Sequence, residues 1–363
     1  MPTPSEQDIR QALATVIDPE IRRPITDLDM VESIEVGEAG AVTVSILLTV
    51  PGCPLKDQLE RDVKMALASL GGVGLVTVKM GTMSEEQRHA LQVKLRGPEV
   101  AIQFNDPASK TRVIAIASGK GGVGKSSVTA NLAVALAAQG LAVGVLDADI
   151  YGFSMPRMLG VIDEPTQMEE MILPPVSHGV KVFSIGMLVP PGQPVVWRGP
   201  VLHRAIQQFL TDVYWGDLDV LLADLPPGTG DVALSIAKLL PSSELILVTT
   251  PQPAAAEVAQ RAGALALQTH QPIVGVVENM SGLPQPDGSV LPLFGEGGGQ
   301  QVADNLAGAI GGPVPLLGRI PLDIALREGG DTGEPVVVSR PDTPAAAAFR
   351  AIAAAVTGRG LPA

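Results

Sequence analysis

One stretch constrains the fold more than any other: Ser118-Gly119-Lys120-Gly121-Gly122-Val123-Gly124-Lys125-Ser126-Ser127. An apolar run, Val113 to Ala117, precedes it, and an apolar-periodic run, Val128 to Ala138, follows it. That order reads as strand, glycine loop, helix. It aims backbone N–H groups and the positive end of a helix at one point, where a phosphate can sit. The string fits G-x-x-x-x-G-K-[ST], the P-loop pattern. On this reading Gly119, Lys120, Gly121, Gly122, Val123, Gly124, Lys125, Ser126 and Ser127 form a nucleotide-binding loop. Lys125 would reach the β- and γ-phosphates, and the Ser126 hydroxyl would ligate Mg2+. The glycines let the backbone approach phosphate with no Cβ in the way.

From Arg112 onward, apolar strand-like runs alternate with helical patterns. The expected fold class is therefore α/β: a P-loop NTPase with a mostly parallel sheet covered by helices, joined to a small N-terminal α/β domain. Several runs end in polar residues that would lie at the ligand-binding edge of such a sheet. Ala142 to Leu146 leads into Asp147-Ala148-Asp149. Two carboxylates at this spacing can serve one for a Mg2+-bound water and the other for the attacking water. Val220 to Ala223 ends in Asp224, a Walker B layout in which the carboxylate supports Mg2+. The loop Leu225-Pro226-Pro227-Gly228-Thr229-Gly230-Asp231 combines stiffness with hinge points, as a sensor of the γ-phosphate needs. Ile273 to Val277 leads to Asn279, whose amide can donate to and accept from an adenine edge at once.

The first 80 residues read as a separate α/β unit. Ser5 caps a helix expected to run through Ile17; strands are expected at Val31 to Val36, Val42 to Val50 and Val73 to Met80, and a helix at Lys56 to Leu70. Residues 81–111 read as a partly helical linker, and 112–363 as the nucleotide domain. The chain holds a single cysteine, Cys53, so neither an internal disulfide nor a CxxC site can form. Cys53 stands just before a helix, a position that favours a thiolate and makes it a candidate thiol site. The net charge of −13 disfavours nucleic acid as a partner, and aromatics at 3 % disfavour base-stacking platforms. No apolar leader opens the chain and no apolar run is long enough for a membrane span, so a cytoplasmic protein with no membrane partner is expected.

The string GKGGVGKS resembles the deviant Walker A motif of the MinD/Mrp class of P-loop ATPases, in which the early lysine reaches the partner's nucleotide. The resemblance makes Lys120 a catalytic residue acting across a homodimer. The motifs DADIYG, WRGP, DLPPGTGD, VTTPQP and VVENMS follow in the order of the Mrp/ApbC iron–sulfur cluster carrier ATPases. That likeness implies slow, dimer-dependent ATP hydrolysis, with Lys125 and Asp149 catalytic. Asp149 would position water, Asp147 would lie on the magnesium side with Ser126 and Asp224, and Asn279 and the loop at Pro321 would lie beside the base. It also implies ATP and Mg2+ as cofactors, a bridging [4Fe–4S] cluster as cargo, and iron–sulfur scaffolds or apoproteins as partners. Asp18-Pro19-Glu20 and Pro51-Gly52-Cys53-Pro54 resemble the small domain of iron–sulfur assembly factors, which makes Asp18 and Glu20 candidates too. One departure stands out. Where the family commonly carries CxxC after ENMS, this chain reads Gly282-Leu283-Pro284-Gln285-Pro286-Asp287-Gly288-Ser289. A cluster takes about four thiolates, and a dimer of this chain offers two. The alternative is an ATP-switched scaffold or positioning ATPase of the MinD/ParA type that carries no cluster itself.

Overall fold

The computed structural model describes residues 4–49, 56–96, 101–189 and 199–358. Cys53 with Pro51, Gly52 and Pro54, and Trp197 and Arg198 of the WRGP stretch, lie outside the described residues. The chain divides into two compact units. One comprises Met1–Ala101, Asp163–Pro175 and Asp212–Gly216; the other comprises Ile102–Ile162, Val176–Thr211 and Asp217–Ala363.

The first unit opens with a helix, Glu6–Leu13, fixed by a capping box in which Ser5 and Asp8 exchange hydrogen bonds. It ends four residues before the expected Ile17. The Thr15 hydroxyl donates to the Ala12 carbonyl, and Asp18 Oδ1 accepts from the backbone N–H groups of Glu20 (3.0 Å) and Ile21 (2.8 Å), so the chain turns at Pro19. A three-stranded sheet follows in the order Val31–Val36, Val42–Leu48, Val76–Thr82. The first pair is antiparallel and the second parallel, with the helix Lys56–Ala68 as the crossover. The third strand starts later than its apolar pattern suggests. Gly74 N–H bonds the Gly40 carbonyl at 2.7 Å, and a Cβ at Gly40 would collide with the Gly72 carbonyl, so this glycine turn occupies the expected strand start. The stretch read as a linker contains the helix Glu85–Arg96, with Leu91 buried.

The core of this unit is not local in sequence. Met168, Met171 and Leu173, from the hairpin Thr166–Met168/Met171–Leu173, share one cluster with Ile9, Leu13, Val44, Leu59 and Val63, and so does Tyr214. Arg88 pairs with Glu169 at 2.9 Å. The motif glutamate Glu20 accepts a 3.0 Å hydrogen bond from the hairpin's Thr166 hydroxyl.

The second unit is built on an eight-stranded sheet. From edge to edge its strands are Leu316–Ile320, Ile273–Asn279, Glu244–Thr249, Arg112–Ser118, Val220–Asp224, Val143–Asp147, Val180–Ser184 and Val176–Ser177. All neighbours are parallel except the last pair. The strands Val220–Asp224, Val143–Asp147 and Val180–Ser184 are buried at every position, as a sheet covered on both faces requires. The helix Lys125–Ala137 is buried nearly all round, in one core with Phe349, Ile352 and Val356 of the last helix, Pro344–Thr357. Parallel pairing brings the ends of these strands to one edge: Ser118, Asp147, Asp224, Thr249 and Asn279.

Candidate nucleotide site

The loop after Ser118 turns through two glycines with positive φ, Gly122 (80°) and Gly124 (78°), and Gly124 leads directly into the helix at Lys125. Gly124 cannot be replaced without movement, because a Cβ there would collide with the Asn279 side-chain amide. A cavity of about 220 Å³ lies over the loop, lined by Ser118, Lys120 to Ser127, Asp149, Ser154, Met158 and Pro227. The glycine loop and the loop Leu225 to Asp231 are tied together: Gly228 N–H bonds the Ser118 carbonyl at 2.8 Å.

Asp224 is the hub beneath this loop. It is fully buried and receives three side chains of the P-loop helix. Lys125 Nζ and Ser126 Oγ each lie 2.6 Å from Oδ2, and Thr129 Oγ1 donates to Oδ1 at 2.6 Å. The helix places them there by spacing: Lys125 and Thr129 are four residues apart, on one face. Ser126 and Asp224 offer hard oxygen donors, which suit Mg2+. Among the described residues no group of three or more His, Cys, Asp or Glu could hold a metal ion by itself. A P-loop Mg2+ has no need of one, since it keeps waters and binds substrate phosphates.

The two carboxylates of the Asp147-Ala148-Asp149 stretch are placed differently. Asp147 pairs with Asp224 across the sheet and is fully buried. Its Oδ2 accepts from Ser154 N–H (2.9 Å), Met155 N–H (3.1 Å) and the Ser184 hydroxyl (3.1 Å), and its Oδ1 from Asp149 N–H (3.2 Å). Burial, with Asp224 alongside, pushes Asp147 up to about 7 in spite of these donors. Its oxygens thus fasten the loop that carries Asp149. Asp149 itself lines the cavity and is only half-buried; burial raises its pKa, while Lys125 and the Gly152 N–H act against that rise.

Asn279 and Pro321 both line a second cavity of about 340 Å³, which shares Gly124, Ser127, Ser154 and Met158 with the first. Asn279 has one amide N–H engaged within the protein. Its Nδ2 is committed to the Val123 carbonyl at 2.9 Å, and its buried Oδ1 has no partner among the described residues. Its amide oxygen is thus an unpaired acceptor in a residue that lines this cavity. Lys120 lines the first cavity and donates to Gln252 Oε1 at 3.2 Å. Sequence reasoning missed Thr129, although its spacing from Lys125 could have flagged it, and also Gln252, whose pairing with Lys120 depends on two strands meeting in space.

A family model described as NUBPL iron-transfer P-loop NTPase matches residues 109–357, and one described as iron-sulfur cluster assembly protein matches residues 6–79. An iron-sulfur cluster carrier protein of Mycobacterium bovis is 61% identical over 337 residues, covering 92% of this chain and 88% of that protein. Among solved structures, a nucleotide-binding protein of Archaeoglobus fulgidus in complex with ADP shares 37% identity, with a TM-score of 0.55 over 65% of this chain and 92% of that one. The cell division ATPase MinD of Pyrococcus furiosus shares 27% identity, with a TM-score of 0.50 over 69% and 99%.

Proposed function

The chain belongs to the family of NUBPL-type iron-transfer P-loop NTPases, and from that premise we propose that it binds and hydrolyses Mg·ATP to drive the handling of iron–sulfur clusters for apoproteins. The observation that carries the nucleotide half is the convergence of Lys125, Ser126 and Thr129 on buried Asp224, directly under the glycine loop. The cluster half is supported by the carrier name of a relative that is 61% identical over nearly the whole chain. The P-loop N–H groups cradle the phosphates, and Lys125 moves from Asp224 to the β- and γ-phosphates. Ser126, backed by Asp224, holds Mg2+, which supplies charge neutralisation on the transferring phosphoryl group. Asp149, held by Gly152 N–H at 3.1 Å, orients the attacking water from the cavity wall. Asn279 Oδ1 accepts from the adenine amine, which favours adenine over guanine, whose matching edge is a carbonyl.

The active unit in this reading is a cytoplasmic homodimer in which Lys120 leaves Gln252 to reach the partner's nucleotide. The cluster is cargo. The nucleotide unit contains no cysteine, so cluster binding draws on Cys53 and on thiols of a scaffold or client. A MinD- or ParA-type positioning role has less support, because the curated relative is named a carrier. No helix among the described residues is long and apolar enough to cross a membrane. The test is phosphate release by the full chain against Lys125→Ala. We expect a drop of about two orders of magnitude or more, as for removal of a donor that stabilises transition-state charge; equal rates would remove the nucleotide assignment.

A further inference from the structure

We infer that Thr129 is a positioning residue for the magnesium site: it holds the Asp224 carboxylate in place while Lys125 and Ser126 turn to the nucleotide. The inference rests on the ATPase reading above and adds to it a residue outside the P-loop signature.

Among the described residues Asp224 has three side-chain donors, and they divide by where they can go. Lys125 and Ser126 line the phosphate cavity and meet Asp224 through the same oxygen, Oδ2. A γ-phosphate competes for the Lys125 ammonium, and Mg2+ would take a lone pair of the Ser126 oxygen, whose O–H donates to Oδ2. Lys125 therefore leaves Oδ2 when Mg·ATP enters, and the Ser126 oxygen is drawn to the metal while its O–H still faces Oδ2. Thr129 is different. It is fully buried, does not line the cavity, and holds the other oxygen, Oδ1, at 2.6 Å. Nothing in the cavity competes for its hydroxyl. Among the described residues its one alternative acceptor is the carbonyl of Lys125 in the same helix, at 3.1 Å. The backbone of the P-loop helix is thus linked to the carboxylate by a bond that persists through nucleotide exchange. A carboxylate behind a metal directs the ligand in front of it through such outer contacts. Without Thr129, Oδ1 of a fully buried carboxylate loses its short side-chain donor, and the group is free to rotate once Lys125 leaves Oδ2.

The experiment measures Mn2+ binding to the full chain by electron paramagnetic resonance in the presence of a non-hydrolysable ATP analogue, with Mg2+ competition. Wild type, Thr129→Val and Thr129→Ser are compared. Metal-free binding of the analogue and thermal melting are recorded for each. We expect Thr129→Val to weaken Mn2+ affinity by about 10- to 100-fold, the usual effect of losing an outer-shell partner. Metal-free analogue binding stays near wild type, and Thr129→Ser, which keeps the hydroxyl, recovers most of the metal affinity. Three results would overturn the inference: unchanged Mn2+ affinity in folded Thr129→Val, an equal loss of metal-free analogue binding, or no recovery in Thr129→Ser. If wild type itself binds neither analogue nor Mn2+, the ATPase reading fails; if wild type binds both and Thr129→Val matches it, only the role of Thr129 fails.

Discussion

Glu20 carries a pH dependence whose size follows from its surroundings. It is 8 % exposed, and the desolvation of its carboxylate is the main cause that raises its pKa from 4.5 to about 7. The neighbouring acids Asp18 and Asp163 add to the rise, and the Thr166 hydroxyl on Oε1 opposes it. Between these two values the folded chain keeps a proton that the unfolded chain releases. The ionised form is the destabilised one, so stability falls as pH rises from 4.5 to 7 and is level above that. A displacement of this size corresponds to about 3 kcal/mol. Glu20→Gln cannot ionise, and its amide oxygen still accepts from Thr166. The variant should therefore be more stable than wild type at pH 8, by up to about 3 kcal/mol, and equal to it within about 1 kcal/mol at pH 4.5. Urea unfolding of the full chain at a series of pH values reads this out. Trp215, fully buried in the same unit as Glu20, supplies a fluorescence signal. Parallel stability curves for the two proteins from pH 4.5 to 8 would refute the reasoning.

Gly124→Ala forces a side chain into a left-handed conformation and against the Asn279 amide. It should cost about 1–3 kcal/mol of stability in thermal melts. By displacing the bond from Asn279 to Val123 it should also weaken ATP binding by about tenfold in titration; unchanged values for both would contradict the packing described. Lys120→Ala and Asp149→Ala should each be inactive alone, whereas mixing them should recover roughly a quarter of the wild-type phosphate release, since half of randomly paired dimers then hold one intact site. No recovery, with mixed dimers demonstrated, would place Lys120 outside the partner's site.

Much of the second unit was legible because its signals are local. Apolar runs ending in Asp147, Asp224 and Asn279 give strands with polar C-terminal ends, and parallel pairing alone is enough to gather those ends at one edge. The glycine loop was legible because each of its residues has a stereochemical reason. What escaped the sequence depends on distance along the chain. Nothing in Thr166–Leu173 announces that Met168 and Met171 fill a core built mainly from residues before 96, since buried methionines carry no periodic signature in so short a hairpin. The partner of Glu20 was hidden for the same reason. The resemblance puts Asp147 on the magnesium side; the N–H groups that converge on it come from the start of a short helix, seven and eight residues later, which the sequence does not announce. The bond from the Asn279 amide to the Val123 carbonyl spans 156 residues of chain, and nothing local announces it.

Iron and sulfide reconstitution of the full chain and of full-length Cys53→Ser, with iron counting, a visible spectrum and a chelator challenge, tests the central claim most directly. The full chain is the form to use, because Met168, Met171, Leu173 and Tyr214 would lose their core partners if the first hundred residues were cut away. The claim is an ATP-driven iron–sulfur protein whose nucleotide unit offers no thiolate. It predicts that the wild-type chain alone takes up iron in a labile form, since two thiolates per dimer cannot fill about four positions. It also predicts that Cys53→Ser loses that iron while phosphate release is retained. A stoichiometric, chelator-resistant [4Fe–4S] cluster on Cys53→Ser would contradict it.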